Sequence, residues 1–363
     1  MTDGGGSAMH DGSPVATAPE QVLGDLAEVA ARVRKNLEAE LSESAEMPAG
    51  DAAPAAEISN FAHEERARVL EAGVTGLEKL AAGRADEVGD DEYFGVEAIV
   101  LLEGRPAILV QGSDFATQEG EWALLDAHRD GIRQSLARVG RVEVRGHPRL
   151  DWVGTAFLVG PDTVLTNRHV AVEFARSDGV GWTFAQGMTA QMDPGEELPL
   201  TPADARIDLL TYEVTEIVGV HPDVDLAVLR VAPPNGGGPL PSPLAVAADA
   251  PANVPGHPVY VIGYPAWDGR RNEPESMRRI FMDVYNVKRL QPGRATRFVP
   301  GELVMGHDCS TLGGNSGSPV FGLPDHRVLA LHFGGRYRTG NVSVPLWELV
   351  DDPLLAAAGV NWV

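Results

Sequence analysis

Between Gln21 and about Leu41 the apolar residues Val22, Leu23, Leu26, Val29, Val33 and Leu37 recur every three or four positions, a spacing that predicts an amphipathic helix. The same period returns from about Ile58 to Ala82, where Phe61, Val69, Leu70, Val74, Leu77 and Leu80 form one stripe, and "EMPAGDAAPAAE" separates the two as a linker. In "VEAIVLLEGRPAILVQGSDF" two short apolar runs, 98–102 and 107–110, flank Glu103-Gly104-Arg105-Pro106, which predicts a strand hairpin near 96–111. A third helix is expected from Glu119 to Val139.

From residue 140 onward the texture changes. "VGRVEVRG", "WVGTAFLVG", "TVLTNRHVA", "DLAVLRVA", "PVYVIGYP", "SPVFGL" and "RVLALHFGG" are short β-type runs punctuated by Gly, Pro, Asn and Asp, the pattern of a barrel or sandwich. The Pro- and Gly-rich stretch "APPNGGGPLPSP" at 232–243 is a natural seam between two sheet units. No internal repeat is visible. Residues 1–19, rich in Gly, Ser, Pro and Ala without periodicity, read as a disordered tail. The expected organisation is therefore a tail (1–19), a mostly helical region (20–139) and a mainly β domain (140–363).

Composition narrows the function classes. With 363 residues and 44% hydrophobic positions the chain can bury a large core. It shows neither a basic start followed by an apolar run nor a segment approaching the roughly 18 apolar residues of a membrane span, so the expected location is the cytoplasm. The formal net charge is -23, with 27 acidic against 11 basic residues in 1–140, which argues against nucleic acid or an anionic membrane as partner. The single cysteine, Cys309, excludes an intrachain disulfide framework and a cysteine-rich zinc site. His307 and Cys309 in "HDCS" fall on one face of a strand, but two ligands define no metal site, and no cofactor is expected.

The candidate chemistry centres on "STLGGNSGSPVFG", 310–322. Glycines cost backbone entropy unless unusual dihedrals or close approach demand them, so this stretch reads as a tight loop presenting the hydroxyl of Ser316. A serine hydroxyl needs a base, a group that orients the base, and donors for an oxyanion. His169 ends the second strand of the hairpin "GTAFLVGPDTVLTNRHV", where it serves either as a general base or as a structural histidine. Asp225 opens the apolar run of "HPDVDLAVLRV" and suits either a turn or an imidazole partner, with Asp223 and Asp208 as rivals. Arg270, Arg271, Arg278 and Arg279 form a local basic group best read as a solvated loop.

Taken jointly, "T-N-x-H-V", "D-L-A-V-L" and "G-G-N-S-G-S-P-V", in the order His, Asp, Ser, resemble the trypsin-like serine peptidases of the chymotrypsin fold over roughly 140–350, and most of all the cysteine-poor bacterial branch that includes the glutamyl endopeptidases. The resemblance implies two antiparallel β-barrels joined at the seam, a protein or peptide substrate, and catalysis in the crevice by Ser316 as nucleophile, His169 as base and Asp225 as the group fixing its tautomer. It also implies an oxyanion hole from the N–H groups of Gly314 and Ser316. Thr311 and His332 would line a pocket for Glu or Asp, and Phe333, Gly334 and Gly335 would pair with the extended substrate. Asn315 departs from trypsin-type zymogens, which carry Asp there to bind a new N-terminal ammonium. The alternative reading is a catalytically silent, protease-like binding module. In either case the helical region offers a surface for a protein partner. A peptidase-chaperone with a trailing peptide-binding module fits less well.

Overall fold

Asp25 opens the first helix: its carboxylate accepts hydrogen bonds from the N–H groups of Ala27 (2.9 Å) and Glu28 (3.1 Å), satisfying donors that the first turn leaves without partners. The structure, a computed structural model, describes residues 19, 23–46, 54–200, 211–234, 237–267, 277, 281–336 and 340–363. All of the expected tail except Pro19, together with Asp208 and the basic group Arg270, Arg271, Arg278 and Arg279, lies outside the described residues.

Helix α1 (Leu26–Glu46) buries Leu26, Val29, Ala30, Val33 and Leu37 against Val69, Leu70, Val74 and Leu77 of α2 (Pro54–Ala81) and Val96 and Ile99 of α3 (Asp90–Ile99). Apart from Val22 and the side chain of Phe61, which lie outside the described residues, the apolar stripes read from the sequence are thus the core of a three-helix unit. At the α2–α3 crossing two glycines meet. A Cβ on Gly95 would lie 2.2 Å from the Gly73 nitrogen, and one on Gly73 would lie 2.4 Å from the Gly95 carbonyl carbon. Only residues without side chains allow that approach.

The expected hairpin lies further along the chain. Residues 98–99 complete α3, and Val100–Gly104 continue it as a π-turn. The strands are β1 (Ile108–Gln111) and β2 (Asp114–Phe115), joined across Gly112 (φ +61°) and Ser113 (φ +58°). The first apolar run is helical because packing against α2 outweighs its β-branched residues. After a 3₁₀ segment (Gly120–His128), α4 (Arg129–Leu136) ends the region.

The first barrel is a closed antiparallel ring in the order β10-β5-β4-β3-β8-β9. Its strands are β3 (Val139–Arg145), β4 (Trp152–Leu158), β5 (Thr163–Thr166), β8 (Thr189–Asp193), β9 (Tyr212–Val220) and β10 (Ala227–Val231), with a side hairpin of β6 (Ala175–Ser177) and β7 (Trp182–Phe184). The unbroken apolar run Leu226–Leu229 is explained by burial on both faces. Ala227 and Leu229 point into this barrel, while Leu226 and Val228 join Phe157 in the core shared with the second barrel and the C-terminal segment.

The second barrel closes in the order β11-β14-β15-β16-β13-β12, with β12 returning to β11. Its strands are β11 (Pro258–Gly263), β12 (Arg289–Phe298), β13 (Met305–His307), β14 (Pro319–Gly322), β15 (Val328–Arg336) and β16 (Gly340–Pro345). Strand β12 pairs β11 through Arg289–Arg294 and β13 through Ala295–Phe298. That leaves one edge of Arg289 and Leu290 open, and β1 pairs there, Ile108 with Leu290 and Leu109 with Arg289. The architecture is mainly β and chymotrypsin-like, preceded by helices as expected, but the segment before residue 140 is laced into the second barrel. The short helix α5 (Arg168–Ala171) follows β5, and α6 (Pro353–Ala358), capped by Asp352, packs Leu355 and Ala358 into the shared core. Among the described residues no helix is long and apolar enough to cross a membrane.

Gly95→Ala should destabilise the helical unit by about 1–3 kcal/mol, the usual cost of overpacking. Thermal unfolding followed by helical circular dichroism checks this, and an unchanged midpoint would contradict the Gly73–Gly95 contact as a packing constraint.

Candidate active site

Thr166 closes β5 and donates to the carbonyl of Thr155 (2.7 Å), after which Asn167 turns the chain into α5 and presents His169. The Asn167 side chain is buried and donates to the Asp225 carbonyl at 2.8 Å. The turn before Asp225 is shaped by His221, whose Nδ1 accepts the N–H groups of Asp223 and Val224, both at 3.1 Å. The same ring reaches Asp352 Oδ2 through Nε2 (3.1 Å), which fixes the Nε2–H tautomer and ties the turn to the C-terminal helix.

Asp225 then meets His169 twice. Its Oδ1 accepts the His169 backbone N–H (3.0 Å), and its Oδ2 lies 2.6 Å from Nδ1 of the ring. Burial pushes the Asp225 carboxyl up, but the hydrogen bonds and charge of His169, with Arg168 behind, outweigh it and hold the group below the usual carboxylate range. An ionised Asp225 requires a proton on Nδ1, so Nε2 is left as the basic nitrogen. Asp223 takes no part in this contact.

Ser316 follows a 3₁₀ turn, Gly313–Asn315. Thr155 of β4 grips the loop on both sides of the turn: its Oγ1 donates to the Gly314 carbonyl (2.9 Å), and its N–H donates to the Ser316 carbonyl (2.8 Å). Gly317 leaves the turn at φ +88°, where a Cβ would stand 2.0 Å from the Thr155 oxygen. The two halves of the site converge at Gly154, whose missing Cβ would lie 2.7 Å from Val170, the residue after His169, and 2.8 Å from the Ser316 oxygen. The structure thus joins His169 to Asp225 directly and sets the Ser316 loop against the His169 turn.

The expected oxyanion donors are not both open. The Ser316 N–H donates to the Gly313 carbonyl at 3.2 Å, closing the 3₁₀ turn on itself. Gly314 is fixed from behind, since a Cβ there would meet the Tyr264 oxygen at 2.1 Å and the Trp152 ring at 2.3 Å. Freeing the Ser316 N–H therefore calls for rotation of the Gly313–Gly314 peptide.

The expected specificity residues have partners that the sequence did not reveal. His332 is buried, and its Nδ1 lies 3.0 Å from Nε2 of His307. Burial, then His307 and His169, lower the pKa of His332 well below the ordinary histidine value, so the ring is neutral at neutral pH. Thr311 Oγ1 donates to Asn341 Oδ1 (2.8 Å), and Asn341 Nδ2 donates to the Cys309 carbonyl (2.5 Å). Phe333, Gly334 and Gly335 run beyond the last β14 partner, Leu331, so among the described residues no strand pairs with that side of β15, which could accept an added strand. Cys309 is a buried thiol pushed up by desolvation and packed in the barrel core, while His307 turns its Nε2 to His332. Glu143, Asp193 and Glu196 cluster within 4.8 Å, but Arg141 bridges Glu143 (2.5 Å) and Glu196 (3.1 Å).

Fold and sequence together define a class. Residues 154–331 match the trypsin-like peptidase domain family, and that match together with the fold supports a serine endopeptidase. The chain is 27% identical over 308 residues to a probable serine protease of Lysobacter enzymogenes, covering 77% of this chain and 79% of that one. Among solved structures, the Rv3671c protease of M. tuberculosis H37Rv in its inactive form is 22% identical with a TM-score of 0.40, covering 65% of this chain and 96% of that one. The serine endoprotease from Yersinia pestis is 18% identical with a TM-score of 0.42, covering 63% and 66%.

The buried histidine pair makes a pH prediction. Desolvation holds His307 down to about 3 from 6.5, so below 6.5 the unfolded chain binds a proton that the folded protein refuses. Its stabilising contribution is complete above 6.5 and is lost progressively as the pH falls toward 3. The melting temperature of His307→Gln should therefore fall less between pH 7 and pH 4.5 than that of the unaltered protein; parallel curves would show that this ring does not contribute to acid sensitivity.

Proposed function

We propose that the protein cleaves peptide bonds through an acyl-enzyme, with Ser316 as nucleophile, His169 as general base and acid, and Asp225 as the carboxylate that holds the Nδ1–H tautomer. The observation that carries this reading is the double contact of Asp225 with His169, which leaves Nε2 basic on a turn packed against the Ser316 loop. In the first half-reaction Ser316 Oγ bonds to the scissile carbonyl carbon while its proton passes to His169 Nε2. The tetrahedral intermediate then expels the amine, which takes that proton. Water repeats the sequence on the acyl-enzyme: its proton goes to Nε2, its oxygen bonds to carbon, and Ser316 leaves reprotonated.

The developing oxyanion is the natural competitor for the Ser316 N–H. Rotating the Gly313–Gly314 peptide turns the Gly313 carbonyl away and offers the Gly314 and Ser316 N–H groups to the oxygen, a change that paired glycines tolerate. The resting hydrogen bond is also the one observation that favours a silent binding module, because a module of that kind has no use for an open hole.

For the residue before the cleaved bond we infer a preference for Glu or Asp, carried by hydrogen-bond accounting at the histidine pair. His307 Nδ1 is buried without a partner. An unpaired acceptor is tolerated better than an unpaired N–H, so His307 is best protonated on Nε2 and donates to His332 Nδ1. That arrangement leaves His332 with an Nε2–H, a neutral donor suited to a substrate carboxylate.

A fluorophosphonate probe should label the full-length protein and not Ser316→Ala, and Asp225→Asn should lower kcat by roughly 10⁴-fold through the wrong tautomer. Failure of the unaltered protein to react under conditions where it is folded would turn the reading toward the silent module. His332→Ala should reduce kcat/KM for Glu substrates about 10- to 100-fold more than for their Gln counterparts, the worth of a hydrogen bond to a charged group; equal losses on both series would remove the acidic preference.

A further inference from the structure

Residues 308–312 connect β13 to the nucleophile turn, carry Thr311, and belong to no strand. Their position is set largely by side-chain contacts, and three of these come from the far side of the sequence. Arg105 Nη2 pairs with Asp308 Oδ2 at 3.1 Å, with the two side chains only 19% and 16% exposed. Ser310 Oγ donates to the Arg105 carbonyl at 2.7 Å. Ala107 packs against Leu312 in a small apolar cluster with Met277 and Phe281.

The strap that makes these contacts is itself anchored at both ends. Before it, the Trp122 indole N–H donates to the Gly104 carbonyl at 2.8 Å, and Arg32 of α1 pairs with Glu103 at 3.0 Å. After it, β1 pairs with β12, and the buried Arg289 donates to the Ala107 carbonyl at 2.5 Å while its other nitrogen holds the carbonyls of Phe281 (2.7 Å) and Val284 (2.8 Å). The contact of Arg105 with Asp308 is therefore one between two fixed bodies, the helical unit with its strap and the second barrel.

We propose that Arg105 is a positioning residue of the peptidase site, holding segment 308–312 and through it the turn that must open for the Ser316 N–H to meet an oxyanion. The effect on catalysis rests on the acyl-enzyme reading; the effect on the segment does not. Removing the guanidinium leaves Asp308 Oδ2 without its ion-pair partner in a poorly hydrated place while Oδ1 still accepts the Arg294 N–H (2.7 Å), so the carboxylate pivots about that bond toward water and loosens the residues after it. The Ser310 hydroxyl depends on the same strap and should respond in the same direction with a smaller amplitude.

The test measures two quantities on the full-length protein, amide hydrogen exchange across 308–317 and the rate of fluorophosphonate labelling. In Arg105→Ala, exchange should rise in this segment but not in the strands of the first barrel, and labelling should slow roughly ten- to a hundredfold, the scale expected when reacting groups are misplaced by about an ångström. Arg105→Lys, which keeps the charge, should recover most of both. Wild-type exchange in both Arg105→Ala and Ser310→Ala would overturn the proposal. Should Arg105→Ala fail to fold, Ser310→Ala decides alone: faster exchange with slower labelling supports the strap, and no change in either overturns it. A segment that responds in a protein whose wild type never reacts with the probe would leave the positioning role standing and sink the catalytic reading.

Discussion

One threonine carries the load between the barrels. Thr155 is fully buried on β4, yet every polar group it has is engaged: Oγ1 with Gly314 and N–H with Ser316 across the crevice, and the carbonyl with Thr166 within the first barrel, next to the His169 turn. In a dry site each of these bonds costs more to lose than it contributes when made, because the stranded group has no water to turn to. The separation between the His169 turn and the Ser316 loop is therefore set by one residue on a strand rather than by two loops moving independently. Gly154 and Gly317 serve the same contact by absence, leaving the space that lets the backbones close.

The same logic explains why the two barrels do not slide. Strands β4 and β10 alternate between the inside of the first barrel and the core shared with the second, so Phe157 and Val228 lie beside Tyr260, Ile262 and Phe321 while their neighbours fill the first barrel. A shift of one residue in either strand would move apolar side chains out of both cores at once. Lys288 adds a polar link, its buried ammonium donating to the Leu136 carbonyl (2.8 Å) and to that of Pro194 in the loop after β8. The placement of the His169 turn against the Ser316 loop is thus held by apolar register beneath and by the Thr155 bonds above.

What could be read from the sequence was whatever local backbone chemistry dictates. The glycines around Ser316 and the turn before Asp225 each announce a conformation through residue type, whereas the strand expected to run to His169 ends at Thr166 and leaves His169 on the short helix α5. The helical stripes announce a buried face. What stayed hidden depends on partners far along the chain. The run 98–102 has strand-like composition and is helical because Gly73 gives α3 a place to pack. His307 and Cys309 define no metal site in the sequence, and nothing there announces His332 as a partner; the register of β13 with β16, and of β16 with β15, brings the two rings together. Thr311 stands in the sequence as a candidate pocket donor, but its hydroxyl donates to Asn341 Oδ1. Arg105 carries no sign of its role, since its partner lies across the fold at Asp308.

The closed turn at Gly313–Ser316 raises a question of energy rather than of geometry. A neutral backbone hydrogen bond contributes about 1 kcal/mol net, whereas a donor placed against a developing oxyanion is worth about 3 kcal/mol in the transition state. Under the acyl-enzyme reading the opened arrangement is therefore disfavoured in the resting protein and favoured once charge develops. Such a balance lowers the rate by the fraction of molecules that are open, roughly fivefold for each kcal/mol, without abolishing catalysis. It also makes the rate sensitive to anything that moves the segment leading into the turn. Segment 308–312 has contacts on one side to Asn341 and on the other to the strap from the helical region. A partner bound to the helices would need only a small differential affinity for the two arrangements to change how often the turn is open.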